Sequence, residues 1–340
     1  MGVRPPLLYD GAVIIPVDGR PAKLPDFLIV GAPRAGTTSL HEWLARHPDV
    51  FMPREKEPAF FYAWGDPPYY LDPERKRTAD HITYRLEDYL RLFSPAPGGR
   101  VLGEASTWYL SGSERTVPNL KRVYGEQARA VKVIMVLRDP ADRAWSHYWL
   151  KRGWGTEALG FDEATRPEVI RARLDARLVA SFDYLGMGTY SRGVEAFLRD
   201  FDRVKIFLFE ELVGDTAAAR ADLVRFLELP GIDDRRAYPR VNASGLPRRG
   251  PAGLAARLVF RPNAIKALAK PFVPVRLRQG WKLRFGQKVL VPQKMDDATR
   301  RRLVAYYDED IRRLETILGR DLGAWRAVRP EARGGEGRRR

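Results

Sequence analysis

The segment Gly31-Ala-Pro-Arg34-Ala35-Gly36-Thr37-Thr38 joins an apolar run, Asp26-Phe-Leu-Ile-Val, to a stretch in which Leu40, Trp43 and Leu44 recur at helical spacing. A glycine-bounded loop between a buried strand and a helix turns several backbone N–H groups and the positive end of the helix dipole toward one point. That arrangement suits a phosphate or a sulfate. The glycine spacing is that of a nucleotide P-loop, but Thr37 stands where such a loop carries its lysine, and the nearest cation, Arg34, comes three positions earlier. A second anion-binding candidate is Val136-Leu-Arg138-Asp-Pro-Ala-Asp-Arg143-Ala-Trp-Ser146-His147, where a β-like run ends in arginine and a serine follows eight residues later. A forked guanidinium suits a phosphate dianion, and a serine hydroxyl near a helix start adds a neutral donor. A third segment, Pro53-Arg-Glu-Lys56-Glu57-Pro-Ala-Phe60-Phe61, places a carboxylate beside two aromatic rings, where partial desolvation would make it a better base. Glu104 is a second candidate base or acceptor-binding group, because it ends a predicted strand at the edge where α/β sheets hold their ligands.

The elements that must position these groups follow from pattern. Apolar runs at 26–31, 101–104, 130–137 and 204–209 read as strands, and they alternate with helical patterns at 39–47, 141–150 and 216–227. Strands alternating with helices predict an α/β fold, a P-loop-like parallel sheet flanked by helices. Asp296 is an expected N-cap for a long helix ending at Leu318, with Gly319 as its stop and Leu303, Tyr306, Tyr307, Asp310, Leu314 and Ile317 along one face. Residues 1–25 read as an arm or edge hairpin, 26–328 as a single domain, 246–295 as an irregular basic insertion within it, and 329–340 as a disordered tail. The four histidines have no metal-ligand spacing: His41 and His47 read as helix-surface residues, His81 as a loop residue, and His147 as a neighbour of Ser146.

Composition narrows the chemistry. The 340-residue chain has no cysteine, which removes disulfides, thiolate catalysis and most structural zinc sites. Its net charge of +16 calls for an anionic partner. Twelve Lys or Arg and no Asp or Glu fall within 246–295, interleaved with apolar residues, so this stretch reads either as a wall of the acceptor cleft or as a surface for anionic lipid. No signal peptide is visible and no run approaches about 18 apolar residues, so the expected location is cytoplasmic, with peripheral membrane contact through the basic stretch.

On these motifs the chain resembles the sulfotransferases that use 3′-phosphoadenosine-5′-phosphosulfate (PAPS), bacterial members and glycan enzymes of the heparan-sulfate type above all. The resemblance implies the sulfotransferase fold and sulfuryl transfer from PAPS to a hydroxyl or amine of a glycan, glycolipid or small metabolite, with the bisphosphate PAP as product and no metal required. By the same resemblance Arg34, Ala35, Gly36, Thr37 and Thr38 hold the 5′-phosphosulfate, with Arg34 also catalytic, Arg138 and Ser146 grip the 3′-phosphate, and Glu57 is the general base. Two departures matter: the heparan-type histidine two places after the glutamate is Ala59 here, and the lysine of a Glu-Lys-[ST] segment is Ala105. The acceptor's identity therefore does not carry over. The alternatives are a P-loop nucleotide kinase, disfavoured by Thr37 and by the lack of an acidic Walker-B strand end, and a basic nucleic-acid-binding protein, although no nucleic-acid partner is expected.

Overall fold

The most apolar runs of the chain become the strands of one parallel sheet. In the computed structural model, which describes residues 14–17, 20–66, 82–176, 182–213, 216–231, 245–247 and 290–328, the strands are β1 (Ile14–Val17), β2 (Arg20–Lys23), β3 (Phe27–Gly31), β4 (Val50–Phe51), β5 (Val101–Ala105), β6 (Lys132–Leu137), β7 (Val204–Leu208), β8 (Leu246–Pro247) and β9 (Leu290–Val291). The central sheet runs β4-β5-β3-β6-β7, all neighbours parallel. Every residue of β3, β5 and β6 is buried, as expected where helices cover both faces of a sheet. Phe27 pairs with Gly103 on one side and Lys132 on the other, which puts the carboxyl ends of β5, β3 and β6 side by side. Chain order reverses direction at β3, so the crevice beyond these strand ends is where an α/β sheet holds a ligand.

The flanking helices start where local chemistry allows. Gly36, at φ 87°, caps the helix Thr37–Leu44, which begins two residues earlier than the hydrophobic spacing suggests. Asp139 accepts from the backbone N–H groups of Ala141 and Asp142 at the head of Pro140–Gly153, and Pro140 fits the first helical position because its missing N–H needs no partner there. Asp296 caps the helix Asp297–Leu318 through Thr299, and Gly319, at φ 60°, ends it. Leu303, Tyr307, Ile311 and Leu314 of this helix enter the core, whereas Tyr306, expected on the same face, is 52% exposed.

Strands β1 and β2 pair antiparallel, Ile14 opposite Lys23. The two flanks of the basic stretch pair as β8 and β9, and Trp145 Nε1 donates to the Gln293 carbonyl at 2.7 Å, which ties one flank to the helix that carries Ser146. The expectations for the interior of the stretch, for His81 and for the tail at 329–340 lie outside the described residues. No helix among the described residues is long and apolar enough to cross a membrane.

Candidate active site

Arg34, Arg138 and Ser146 meet at the carboxyl ends of β3 and β6. Arg34 sits in left-handed backbone at φ 68°, and its Nε donates to Ser146 Oγ at 3.1 Å. An Nη of Arg138 donates to the Arg34 carbonyl at 3.1 Å, so the second motif braces the loop of the first. The Arg138 guanidinium lies 4.8 Å from the ring centre of Phe209, the residue that follows β7, and a Cβ added to Gly36 would come within 3.2 Å of the same ring. Phe209 was expected to continue the strand; it opens the helix Phe209–Val213 instead and closes this corner. Tyr190 donates its hydroxyl to the Arg138 carbonyl at 2.9 Å.

Positive charge is concentrated here. Burial, then the nearby charges of Arg138 and Arg143, push the Arg34 guanidinium down to about 9, at which it is still cationic at neutral pH. Arg143 is wholly buried on the Ser146 helix; it reaches His147 Nδ1 at 3.3 Å and the Tyr184 carbonyl, and among the described residues its Nε has no hydrogen-bond partner. Burial, then Arg143, Lys151 and Arg34, hold His147 well below its ordinary value, so the ring is neutral. Crowded cations at the start of two helices fit a phosphorylated dianion, which would relieve their mutual repulsion. Among the described residues, no cluster of three His, Cys, Asp or Glu side chains could hold a metal ion.

The carboxylates gather at the end of β5, beside β3. Glu57 is one-quarter exposed, in left-handed backbone at φ 63°, and its N–H donates to the Ala105 carbonyl at 3.0 Å. Thr107 donates to the Glu57 carboxylate through its N–H at 2.7 Å and offers its hydroxyl at 3.1 Å, while Lys56 pairs with the other side. The setting of Glu57 is thus polar. Phe60 and Phe61, expected to desolvate it, are buried, and Phe60 stacks on Tyr89 while Phe61 meets Tyr109 edge-on.

Glu104 is the carboxylate that is desolvated. It is 1% exposed, accepts from Ser106 Oγ at 2.5 Å and from the Tyr89 hydroxyl at 3.3 Å, and burial pushes it up to about 7. Sealed in this way, it cannot meet an acceptor directly. His41 and His47, read from sequence as surface residues, are both buried; His41 Nε2 donates to the Pro53 carbonyl at 3.1 Å and His47 Nε2 to that of Pro230 at 3.0 Å. Sequence reasoning missed Phe209, Ser106 and Thr107. The signal for Phe209 was an aromatic at the end of a strand whose neighbour ends in arginine; Ser106 and Thr107 gave none beyond their place after Glu104.

The sequence profile of the Sulfotransferase family matches residues 25–234, a span that contains Arg34, Glu57, Arg138 and Ser146. The chain is 30% identical over 143 residues to the membrane-associated sulfotransferase kil1 of Dictyostelium discoideum, covering 41% of this chain and 26% of that protein. It is 25% identical over 224 residues to heparan sulfate glucosamine 3-O-sulfotransferase 3A1 of Mus musculus, covering 65% of this chain and 50% of that protein. The match thus spans half or less of the length of these two relatives. A solved sulfotransferase from Alicyclobacillus acidocaldarius superposes with a TM-score of 0.65 at 27% identity, over 89% of this chain and 99% of that one. The kinase and nucleic-acid-binding alternatives give way to these likenesses. With a parallel sheet of matching architecture and a profile that takes in both the Gly31–Thr38 loop and the Val136–Ser146 segment, the chain belongs to the sulfotransferase family.

Proposed function

We propose that the protein transfers a sulfuryl group from PAPS to a hydroxyl or amine of an acceptor. The observation that carries this reading is the meeting of Arg34, Arg138 and Ser146 at adjacent strand ends. Bound PAPS supplies the activated sulfuryl group and departs as PAP. Arg34 and the backbone N–H groups of residues 35–38 hold the 5′-phosphosulfate and neutralise charge growing on the bridging oxygen, as cations and helix starts do in phosphoryl transfer. Arg138 and Ser146 hold the 3′-phosphate. Glu57, partly open to solvent and steadied by Thr107 and Lys56, accepts the acceptor's proton. Likeness to a heparan sulfate enzyme supports a glycan acceptor.

Donor selectivity tests the reading. Arg138→Ala should weaken PAPS by about 10- to 100-fold, the worth of a lost charge-assisted contact, and should weaken adenosine-5′-phosphosulfate far less, because that donor lacks the 3′-phosphate. Calorimetry of both donors measures the ratio. Equal loss for the two would sink the assignment, since Arg138 would then act only by bracing the Arg34 loop.

A further inference from the structure

The turn that presents Glu57 is held in a backbone its residues do not favour. Glu57 and Ala59 lie at φ 63° and 49°, left-handed conformations that non-glycine residues keep only when their surroundings hold them. The hold comes from the end of β5 and the residues that follow it. Glu57 N–H donates to the Ala105 carbonyl at 3.0 Å, Ala59 N–H donates to Ser106 Oγ at 2.9 Å, and Thr107 N–H donates to the Glu57 carboxylate at 2.7 Å. Ser106 is wholly buried, and its own proton goes to Glu104 Oε1 at 2.5 Å. Glu104 therefore sets the rotation of the Ser106 hydroxyl and so aims a lone pair at Ala59.

We propose that Glu104 is a positioning residue which, acting through Ser106, holds the left-handed Glu57–Ala59 turn and with it the Glu57 carboxylate. The inference rests on the reading of Glu57 as the base. The titratable groups that act on Glu104 are Tyr109 from the helix Trp108–Ser111, Glu57 from the turn, Tyr89 from Leu86–Arg91 and Tyr124 from Ser113–Tyr124. Burial, reinforced by the Glu57 charge, pushes Glu104 up to about 7. Near neutral pH it thus passes between a carboxylate that only accepts and an acid that also donates, and the setting of Ser106 should change with it.

The test is NMR of the full-length protein labelled in its glutamate carboxyl carbons, read together with amide exchange at Ala59. Ser106→Ala and Glu104→Leu should each speed exchange at Ala59 by about tenfold, the scale of one lost buried hydrogen bond, and the double variant should add little because the two act in series. Glu104→Gln should restore much of the protection, since its amide oxygen still accepts from Ser106. It should also erase the inflection near pH 7 that titration of the neighbouring Glu104 is expected to impose on the Glu57 carbon signal of the wild type. Should Glu104→Leu fail to fold, Ser106→Ala and Glu104→Gln carry the comparison. Unchanged exchange at Ala59 in Ser106→Ala, or a Glu57 carbon signal near pH 7 indifferent to Glu104→Gln, overturns the proposal. The base assignment is tested apart from it: Glu57→Gln should cut turnover at least about 100-fold with PAPS affinity kept. Normal turnover in that variant, alongside a released Ala59 in Ser106→Ala, would remove the base while leaving the positioning intact.

Discussion

At the scale of single residues, several groups that spacing assigns to the surface are buried and take their roles from that burial. His41 is the plainest case. The face of its helix that carries it turns toward the loop at 53–57, where its Nε2 donates to the Pro53 carbonyl. Burial, followed by the charge of Lys56, pushes His41 down to about 4. In the folded protein it is therefore neutral between about pH 6.5 and 4, whereas in the unfolded chain it binds a proton over that range. The unfolded state gains protons as pH falls, so His41 contributes stability above its unfolded value that is lost as pH drops through the folded one. Urea unfolding across this range should show stability falling with acid in the wild type and a shallower slope in His41→Gln, which keeps a donor for Pro53 without the titration. An unaltered slope would mean that the ring takes up its proton without losing its place.

At the scale of elements, strand, loop and helix around Gly31 and Gly36 follow directly from pattern, but the close fit behind them does not. A Cβ on Gly31 would lie 2.6 Å from Leu110 Cβ, on the helix Trp108–Ser111 that follows β5. Gly31 is needed here for approach. Gly31→Ala should destabilise by about 1–3 kcal/mol, the usual cost of overpacking, and Leu110→Ala in the same chain should recover only part of it because the Leu110 Cβ remains. Denaturant melts of the two single variants and the double variant check this. The helix Ser113–Tyr124, for which no pattern was read from the sequence, carries Pro118 in its interior, where proline disfavours a helix; Val117, Leu120, Val123 and Tyr124 nevertheless bury one face of it. The edge strand β4 is two residues long, too short for any periodicity to show.

At the scale of the molecule, the helix Asp297–Leu318 braces a corner whose Arg34, Arg138 and Ser146 all lie within the region matched by the family profile. Arg300, buried on Asp297–Leu318, donates to Asp139 at 2.5 Å, to Asp142 at 3.2 Å and to the Trp325 carbonyl at 3.0 Å. Asp139 follows Arg138 directly and caps the Ser146 helix, so this one guanidinium ties the helix Asp297–Leu318 to the corner where Arg34, Arg138 and Ser146 meet. Burial pushes the Asp139 carboxyl up, and Arg300 is among the groups that oppose this. Arg300→Met leaves a buried carboxylate without its partner and should cost about 3–5 kcal/mol, with weaker PAP binding as the cap loosens. Urea unfolding and calorimetry measure the two effects. Lost stability with PAP affinity unchanged would confine the clamp to folding.

The sequence by itself determined the sheet and which residues stand at its strand ends, because Gly31, Gly36, Arg138 and Ser146 belong to local patterns in which a glycine, a strand end and a helix start carry their meaning within about ten residues. It also settled the caps of the helix Asp297–Leu318, Asp296 and Gly319, for the same reason. Only the tertiary structure decided which carboxylate stands open and which is sealed. Glu57 meets Thr107 across fifty residues of chain, and Arg300 meets Asp139 across 161. No spacing in a linear sequence reports such contacts, since burial and charge pairing are properties of what the folded chain brings near. The left-handed turns at Arg34, Glu57 and Ala59 were hidden likewise: none is glycine, and each is held by neighbours distant in sequence.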